Sequence, residues 1–262
     1  MISDWKIRQV VFGQVLDELT ALFAARGFSF MPIKGAYLIM SGIAASIPQR
    51  RIRDIDLLLP PGRFDEICEW FETLKNVSPA ENYWDFERSF IYKTGGADVY
   101  LELHRQINFP ARFLLPAEDL FSRGVSVNTS VIFPDPADAL LIHICHMLPH
   151  VVDGFSIQAL EEIERYVSPD AFSWHLFWER AESTGVSGFI RLIIATCRRH
   201  TINSHTITLP AIRSPYAGIL LHFDLFATIK NRMARKLLFE LPFVRNPWWL
   251  LRYKTTRRIR HS

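Results

Sequence analysis

The stretch Arg50-Arg51-Ile52-Arg53-Asp54-Ile55-Asp56-Leu57-Leu58-Leu59 constrains this chain more than any other. The apolar run at its end reads as a buried strand, and two carboxylates stand at the head of that run. Side chains alternate along a strand, so Asp54 and Asp56 point to one side. Burying two neighbouring carboxylates is costly unless cations neutralise them. The segment therefore asks for a divalent metal, an arginine cluster, or both. Paired carboxylates that hold a metal are the usual apparatus for moving phosphoryl or nucleotidyl groups.

The rest of the chain can support such a site. Its 262 residues suffice for one large domain or two small ones, and a 49% apolar, 13% aromatic composition argues for a sizeable core. Cys68, Cys145 and Cys197 are odd in number and far apart. They give neither a disulfide framework nor a CxxC zinc signature, which fits a reducing cytosol. The start of the chain has no apolar signal-peptide core, so a cytoplasmic location is expected. The net charge of +3 is a property of the end of the chain. Arg245, Arg252, Lys254, Arg257, Arg258 and Arg260 stand there without an acid, and the remainder is net negative.

Periodicity predicts an α+β chain: a half that mixes strands and helices to about residue 133, then an all-helical region. Ser3 can cap a first helix that carries Ile7, Val11, Val15, Leu19 and Leu22 at helical spacing and ends at Arg26-Gly27. A short strand is expected over 28–33, a turn at Lys34-Gly35, a helix over 36–42, the Asp54 strand to Leu59, and a helix over 63–74. Strands over 89–93 and 97–104 flank Gly95-Gly96, a two-residue hairpin signal. A loop and a short strand over 126–133 follow. Asp135-Pro136 then fits the cap and first position of a helix, and strand signals nearly vanish after it. Helices are expected over about 136–148, 155–166, 173–183, 187–200 and 215–240. The expected organisation is a first domain over 1–133, a helical domain over 134–245, and a basic aromatic tail over 246–262.

Period 2 on the second hairpin strand puts Tyr100, Glu102 and His104 on one face, with Leu101 and Leu103 opposite. If this strand lies beside the Asp54 strand, Asp54, Asp56 and Glu102 converge. Three oxygen ligands suit Mg²⁺, and two such ions can hold an attacking hydroxyl and a leaving pyrophosphate in line. Lys34-Gly35 adds a phosphate side. The glycine lets the backbone approach a ligand, the following helix start presents free N–H groups, and Lys34 adds a point charge.

This order of motifs resembles the polymerase-beta-like nucleotidyltransferase superfamily, and most of all its poorly characterised bacterial branch. The matching residues are Lys34-Gly35, Arg50 through Leu58, and Glu102-Leu103-His104. The resemblance covers about residues 30–105 and extends more loosely to the helical half. It implies that Asp54 and Asp56 bind the metal, and that Glu102 completes the site and can activate an acceptor hydroxyl. It also matches Arg50 to a family position, as a candidate triphosphate ligand; Arg50 can equally serve as a counter-ion for the aspartates. Two departures stand out. The superfamily turn often reads Gly-Ser or Gly-Gly, where this chain has Gly35-Ala36, and the third acid is often Asp, where this chain has Glu102.

Four further features have a plain reading, and three of them have a functional one beside it. His104 can contact substrate or orient Glu102, or be an ordinary bonded cleft residue. His143, His146 and His150, with Cys145, share a helix and could suggest zinc, but no fourth ligand stands at a standard spacing. Phe172, Trp174, Phe177 and Trp178 have core spacing. The tail from Asn246 mixes Trp248, Trp249 and Tyr253 with its cations. That suits an anionic membrane surface or nucleic acid, or simply a solvated end behind a Trp pair.

The expected activity is transfer of a nucleoside monophosphate from an NTP to an acceptor hydroxyl, with Mg²⁺. The acceptor can be a small molecule, a sugar, a protein or RNA. The alternatives are a non-catalytic nucleotide-binding or assembly module on the same fold, and a membrane or nucleic-acid adaptor acting through the tail.

Overall fold

The computed structural model describes residues 4–46, 52–81, 85–107, 112–148, 157–167 and 171–200. Arg50, Arg51, His150, the 215–240 helix, the Ser3 cap and the tail lie outside the described residues. What is described divides into two compact units. One is the chain up to Ile107 together with Pro116–Asp135; the other is residues 112–115 and the described chain from Pro136 on.

The first unit is a mixed five-stranded sheet flanked by helices. Its elements are α1 (Asp4–Arg26), β1 (Met31–Ile33), α2 (Lys34–Met40), β2 (Asp54–Leu58), α3 (Phe64–Glu72), β3 (Val77–Pro79), β4 (Glu87–Thr94) and β5 (Ala97–His104). After them come α4 (Ala117–Arg123) and a two-stranded ribbon, β6 (Val125–Ser126) and β7 (Ile132–Phe133). The sheet order is β1-β2-β5-β4-β3. Only β2 and β5 pair in parallel; the other neighbours are antiparallel. Pro32 is tolerated because β1 is an edge strand, where a missing N–H breaks no inner ladder.

One face of this sheet is the core. Ile55, Leu57, Val99, Leu101, Leu103, Phe90 and Tyr92 pack against Phe12, Val15, Leu16, Leu19 and Phe23 of α1 and Phe64, Ile67 and Phe71 of α3. The buried stripe of α1 is rotated from the expected one. Val15 and Leu19 are buried as expected, but Ile7 is exposed, Val11 and Leu22 are only partly buried, and Phe12, Leu16 and Phe23 complete the stripe, with Phe23 set in an aromatic cluster with Phe28, Phe30 and Trp70. Two elements absent from the sequence expectation appear. β3 is a three-residue edge strand, and α4 is a single short helix that follows Pro116.

The second unit is helical: α5 (Pro136–Met147), α6 (Ile157–Tyr166), α7 (Trp174–Ser183) and α8 (Ser187–His200). α5 is apolar nearly all round and accordingly buried nearly throughout, as expected of the central helix of a bundle. The Ser173 hydroxyl caps α7 by accepting from the Leu176 N–H. Phe172, Trp174, Phe177 and Trp178 pack on one another, Trp174 and Trp178 stacked and the other pairs edge to face. His143 lies against the Tyr166 ring and 3.9 Å from Glu162, and no metal-holding group forms on α5 among the described residues. Among those residues, no helix is long and apolar enough to cross a membrane.

Candidate active site

The second face of the sheet carries the charged residues. Register explains why. β2 and β5 run in parallel with Asp54 opposite Tyr100, Asp56 opposite Glu102 and Leu58 opposite His104. Asp56 and Glu102 are therefore direct cross-strand neighbours on one face, and their apolar neighbours Ile55, Leu57, Leu101 and Leu103 fill the core behind them. On the other side of β5, the antiparallel pairing with β4 sets Ser89 opposite Glu102 and Glu87 opposite His104. On the other side of β2, Ile33 pairs with Asp56, so the next residue, Lys34, turns off the sheet edge beside that carboxylate.

These registers produce a tight polar cluster. The Lys34 ammonium donates to Asp56 Oδ1 at 2.7 Å. His104 Nε2 lies 3.0 Å from the same oxygen and 3.3 Å from Glu102 Oε2. Its other ring nitrogen, Nδ1, lies 3.5 Å from Glu87 Oε2. Asp56 is 2% exposed and His104 1% exposed. Carboxylates thus face His104 on both ring nitrogens, and only the imidazolium can serve both. Burial and the Lys34 charge push its pKa down, but hydrogen bonds to Asp56 and Glu102 outweigh them and raise it to about 9. Burial also works against the Asp56 carboxylate, yet Lys34 and His104 together hold its pKa well below the usual carboxylate range.

The other acids are not neutralised to the same degree. Burial, and then the Asp56 charge, pushes Asp54 up to about 7. Burial likewise pushes Glu87 up to about 7 against the pull of His104. Asp54, Asp56, Glu87 and Glu102 thus share a half-buried face with the two cations Lys34 and His104. Acid is in excess there, and a divalent cation would redress it.

The expected residues are distributed as follows. Asp56 and Glu102 come together, and His104 joins them: a ligand atom from each lies within 4.8 Å of the others. Asp54 is on the same strand face, one pleat away, and is not part of that group. Lys34 reaches the cluster but is spent on Asp56. Lys34 also has φ +51°, a left-handed conformation that non-glycine residues rarely adopt and that clusters at functional turns. Gly35 is buried, and a Cβ there would stand 2.9 Å from Ile52 Cγ2, so its small size serves close packing against Ile52. Ala36 is fully buried in the core, which leaves no place for a hydroxyl facing a phosphate. Arg50 lies outside the described residues, and Arg53 is exposed.

Glu87 is the site residue that sequence reasoning missed. The signal was available. A two-residue turn at Gly95-Gly96 sets Thr94 opposite Ala97, and counting back along both strands sets Glu87 opposite His104.

A model of the family described as uncharacterised nucleotidyltransferase matches residues 4–201. The chain belongs to that family. No curated protein and no solved structure matches it. A nucleotidyltransferase of this family takes a nucleotide substrate, and enzymes of this class typically use divalent metals. The donor set fits such an ion. Two ligands on one metal at bond lengths of about 2.1 Å stand up to roughly 4 Å apart. A triad within 4.8 Å needs to contract only slightly, and the Lys34 ammonium already holds a positive charge against Asp56.

Proposed function

We propose that this nucleotidyltransferase moves a nucleoside monophosphate from an NTP to an acceptor hydroxyl, with Asp54, Asp56 and Glu102 holding the metal. The observation that carries this reading is the parallel register that makes Asp56 and Glu102 direct neighbours beside Lys34 and His104. Mg²⁺ suits the carboxylates, and two ions can be held. When bound, the ion supplies positive charge against the transferring phosphoryl oxygens and the departing pyrophosphate.

The chain's own groups do the rest. Asp56, kept ionised by its two cations, is a permanent anion at the base of the site. Glu102 is more open, with 19% of its side chain exposed, and its carboxylate takes the proton of the acceptor hydroxyl. Lys34 sits on the strand-to-helix turn with Gly35, and its ammonium, now 2.7 Å from Asp56 Oδ1, would be free to serve the NTP phosphates were a cation held by the carboxylates. Arg50, by its match to a family position, would assist with the phosphates. His104 holds Asp56 and Glu102 in place from below.

The test is incubation of the full chain with each NTP, Mg²⁺ and fractionated lysate, following pyrophosphate release and labelled product. Release that the Asp54→Asn plus Asp56→Asn variant abolishes is the expected result. Equal NTP binding by that double variant in calorimetry overturns the mechanism. NTP binding that needs Asp56 but never releases pyrophosphate, with any acceptor fraction, favours a nucleotide-binding module without turnover.

A further inference from the structure

The cluster holds one relationship that an all-carboxylate metal site does not need. His104 is almost fully buried, yet it stands in the sheet face between three carboxylates. Its Nε2 is aimed at the point where Asp56 and Glu102 meet. Its Nδ1 makes no geometrically good hydrogen bond, although Glu87 Oε2 waits 3.5 Å behind it. An imidazole that presents one nitrogen to two carboxylate oxygens and backs its other nitrogen onto a third carboxylate has the layout of a metal-bound histidine with its outer-shell acid.

We infer that His104 Nε2, giving up its proton to solvent as the ion binds, is itself a metal ligand together with Asp56 and Glu102, and that Glu87 is the positioning residue that accepts from the remaining Nδ1–H and orients the ring. The inference rests on the metal-dependent reading above and names the ion class that the site selects. A nitrogen donor beside two carboxylates favours a transition-metal ion such as Mn²⁺ over Mg²⁺, which prefers oxygen ligands and keeps much of its water. Lys34, 2.7 Å from Asp56 Oδ1, is the counter-charge that gives way. Closing the Nδ1–Glu87 gap by a few tenths of an ångström completes the bond that now fails on geometry.

Mn²⁺ is the probe, because its unpaired electrons report directly bound nitrogen in pulsed electron paramagnetic resonance. The full-length wild-type chain with one equivalent of Mn²⁺ should show nitrogen modulation. The signal should vanish in His104→Gln, and Mg²⁺ should displace Mn²⁺ only at roughly tenfold or greater excess. Glu87→Gln should weaken Mn²⁺ binding by about 10- to 100-fold, with Glu87→Asp recovering part of the loss and circular dichroism unchanged. Mn²⁺ that binds through Asp56 without nitrogen modulation, or with modulation that survives His104→Gln, overturns the inference and leaves the nucleotidyltransferase reading standing. Unchanged affinity in Glu87→Gln overturns the role of Glu87. Absence of Mn²⁺ binding with and without NTP overturns both readings.

Discussion

The ion pair between Lys34 and Asp56 offers the most direct physical test of this site. The ammonium and Asp56 Oδ1 are 2.7 Å apart, with side chains 14% and 3% exposed. Removing one partner of a buried pair typically costs ~3–5 kcal/mol, because a charge is left without compensation. Asp56 keeps His104 at 3.0 Å, so Lys34→Met should fall near the lower end, about 3 kcal/mol. Asp56→Asn removes the anion instead, leaves Lys34 with an amide oxygen but no counter-charge, and should cost about 2 kcal/mol. In the double variant neither charge is stranded, so the two losses should overlap, with a coupling of about 2 kcal/mol. Acid titration cannot reveal this pair. The folded-state pKa of Asp56 is depressed, so its contribution is present above the ordinary value of 3.8 and is lost only as pH falls through the depressed value. Lys34 is raised from 10.5, so its share is complete below that pH and is lost only above it. The pair's own titrations therefore lie outside roughly pH 5 to 8, and within that window only the charging of Asp54 and Glu87, both pushed up to about 7, should modulate the coupling. The assay is metal-free urea denaturation of the four proteins, with slopes checked for equality, and native-state hydrogen exchange on β2 and β5 amides as the local readout. Additivity within ~0.5 kcal/mol would refute the reasoning.

Three further outcomes follow from particular contacts. Gly35→Ala should cost about 1–3 kcal/mol by overpacking Ile52, and the added loss should disappear in an Ile52→Ala background; thermal melts that show equal losses in both backgrounds contradict the contact. Tyr92, 2% exposed, has its phenol pushed up to about 12 by burial and by its hydrogen bond to Glu18 Oε2 at 2.8 Å. The stability this gives is complete below the ordinary value of 10 and is lost as pH rises through about 12. Absorbance at the phenolate band should show a late component that Tyr92→Phe removes. Arg180→Met breaks the 3.1 Å pair with fully buried Asp138 and should cost about 3 kcal/mol, while Arg180→Met with Asp138→Asn costs less; a double variant as damaging as the sum of the singles argues against that pair.

How much of this was legible depended on whether the deciding contact was local. The Gly95-Gly96 hairpin was legible because a two-residue turn demands left-handed backbone there, and the glycines adopt φ +37° and +110°. The Asp54 strand, the helical second half and the Ser173 cap were legible for the same reason. Glu87 is encoded in the register but carries no signal of its own, since the strand-like residues start at Ser89, two positions after the strand itself begins. α4 was read as loop because seven residues are too few for periodicity to speak. The Lys34–Asp56 pair was not legible at all. It arises from the long-range register of Ile33 with Asp56 and from a left-handed Lys34 that no residue-type signal announces. Sequence reasoning placed Lys34 on the phosphate side and could not show that Asp56 Oδ1 stands 2.7 Å from its ammonium.

The length of the third acid, which looked like a departure, has a geometric reason. Neighbouring strands stand about 4.8 Å apart, so a side chain on β5 must reach across that gap to share anything with Asp56 on β2. Glu102 lies directly opposite Asp56 and brings Oε2 to 3.3 Å from His104 Nε2, the same nitrogen that lies 3.0 Å from Asp56 Oδ1. An aspartate there would retract the carboxylate by one carbon–carbon bond, about 1.5 Å, and lose that meeting point. A third acid one strand away, opposite the second aspartate and sharing its space with a histidine, therefore favours glutamate. The extra methylene and the buried imidazole are parts of one arrangement: the longer arm lets two strands and one ring converge on a single point.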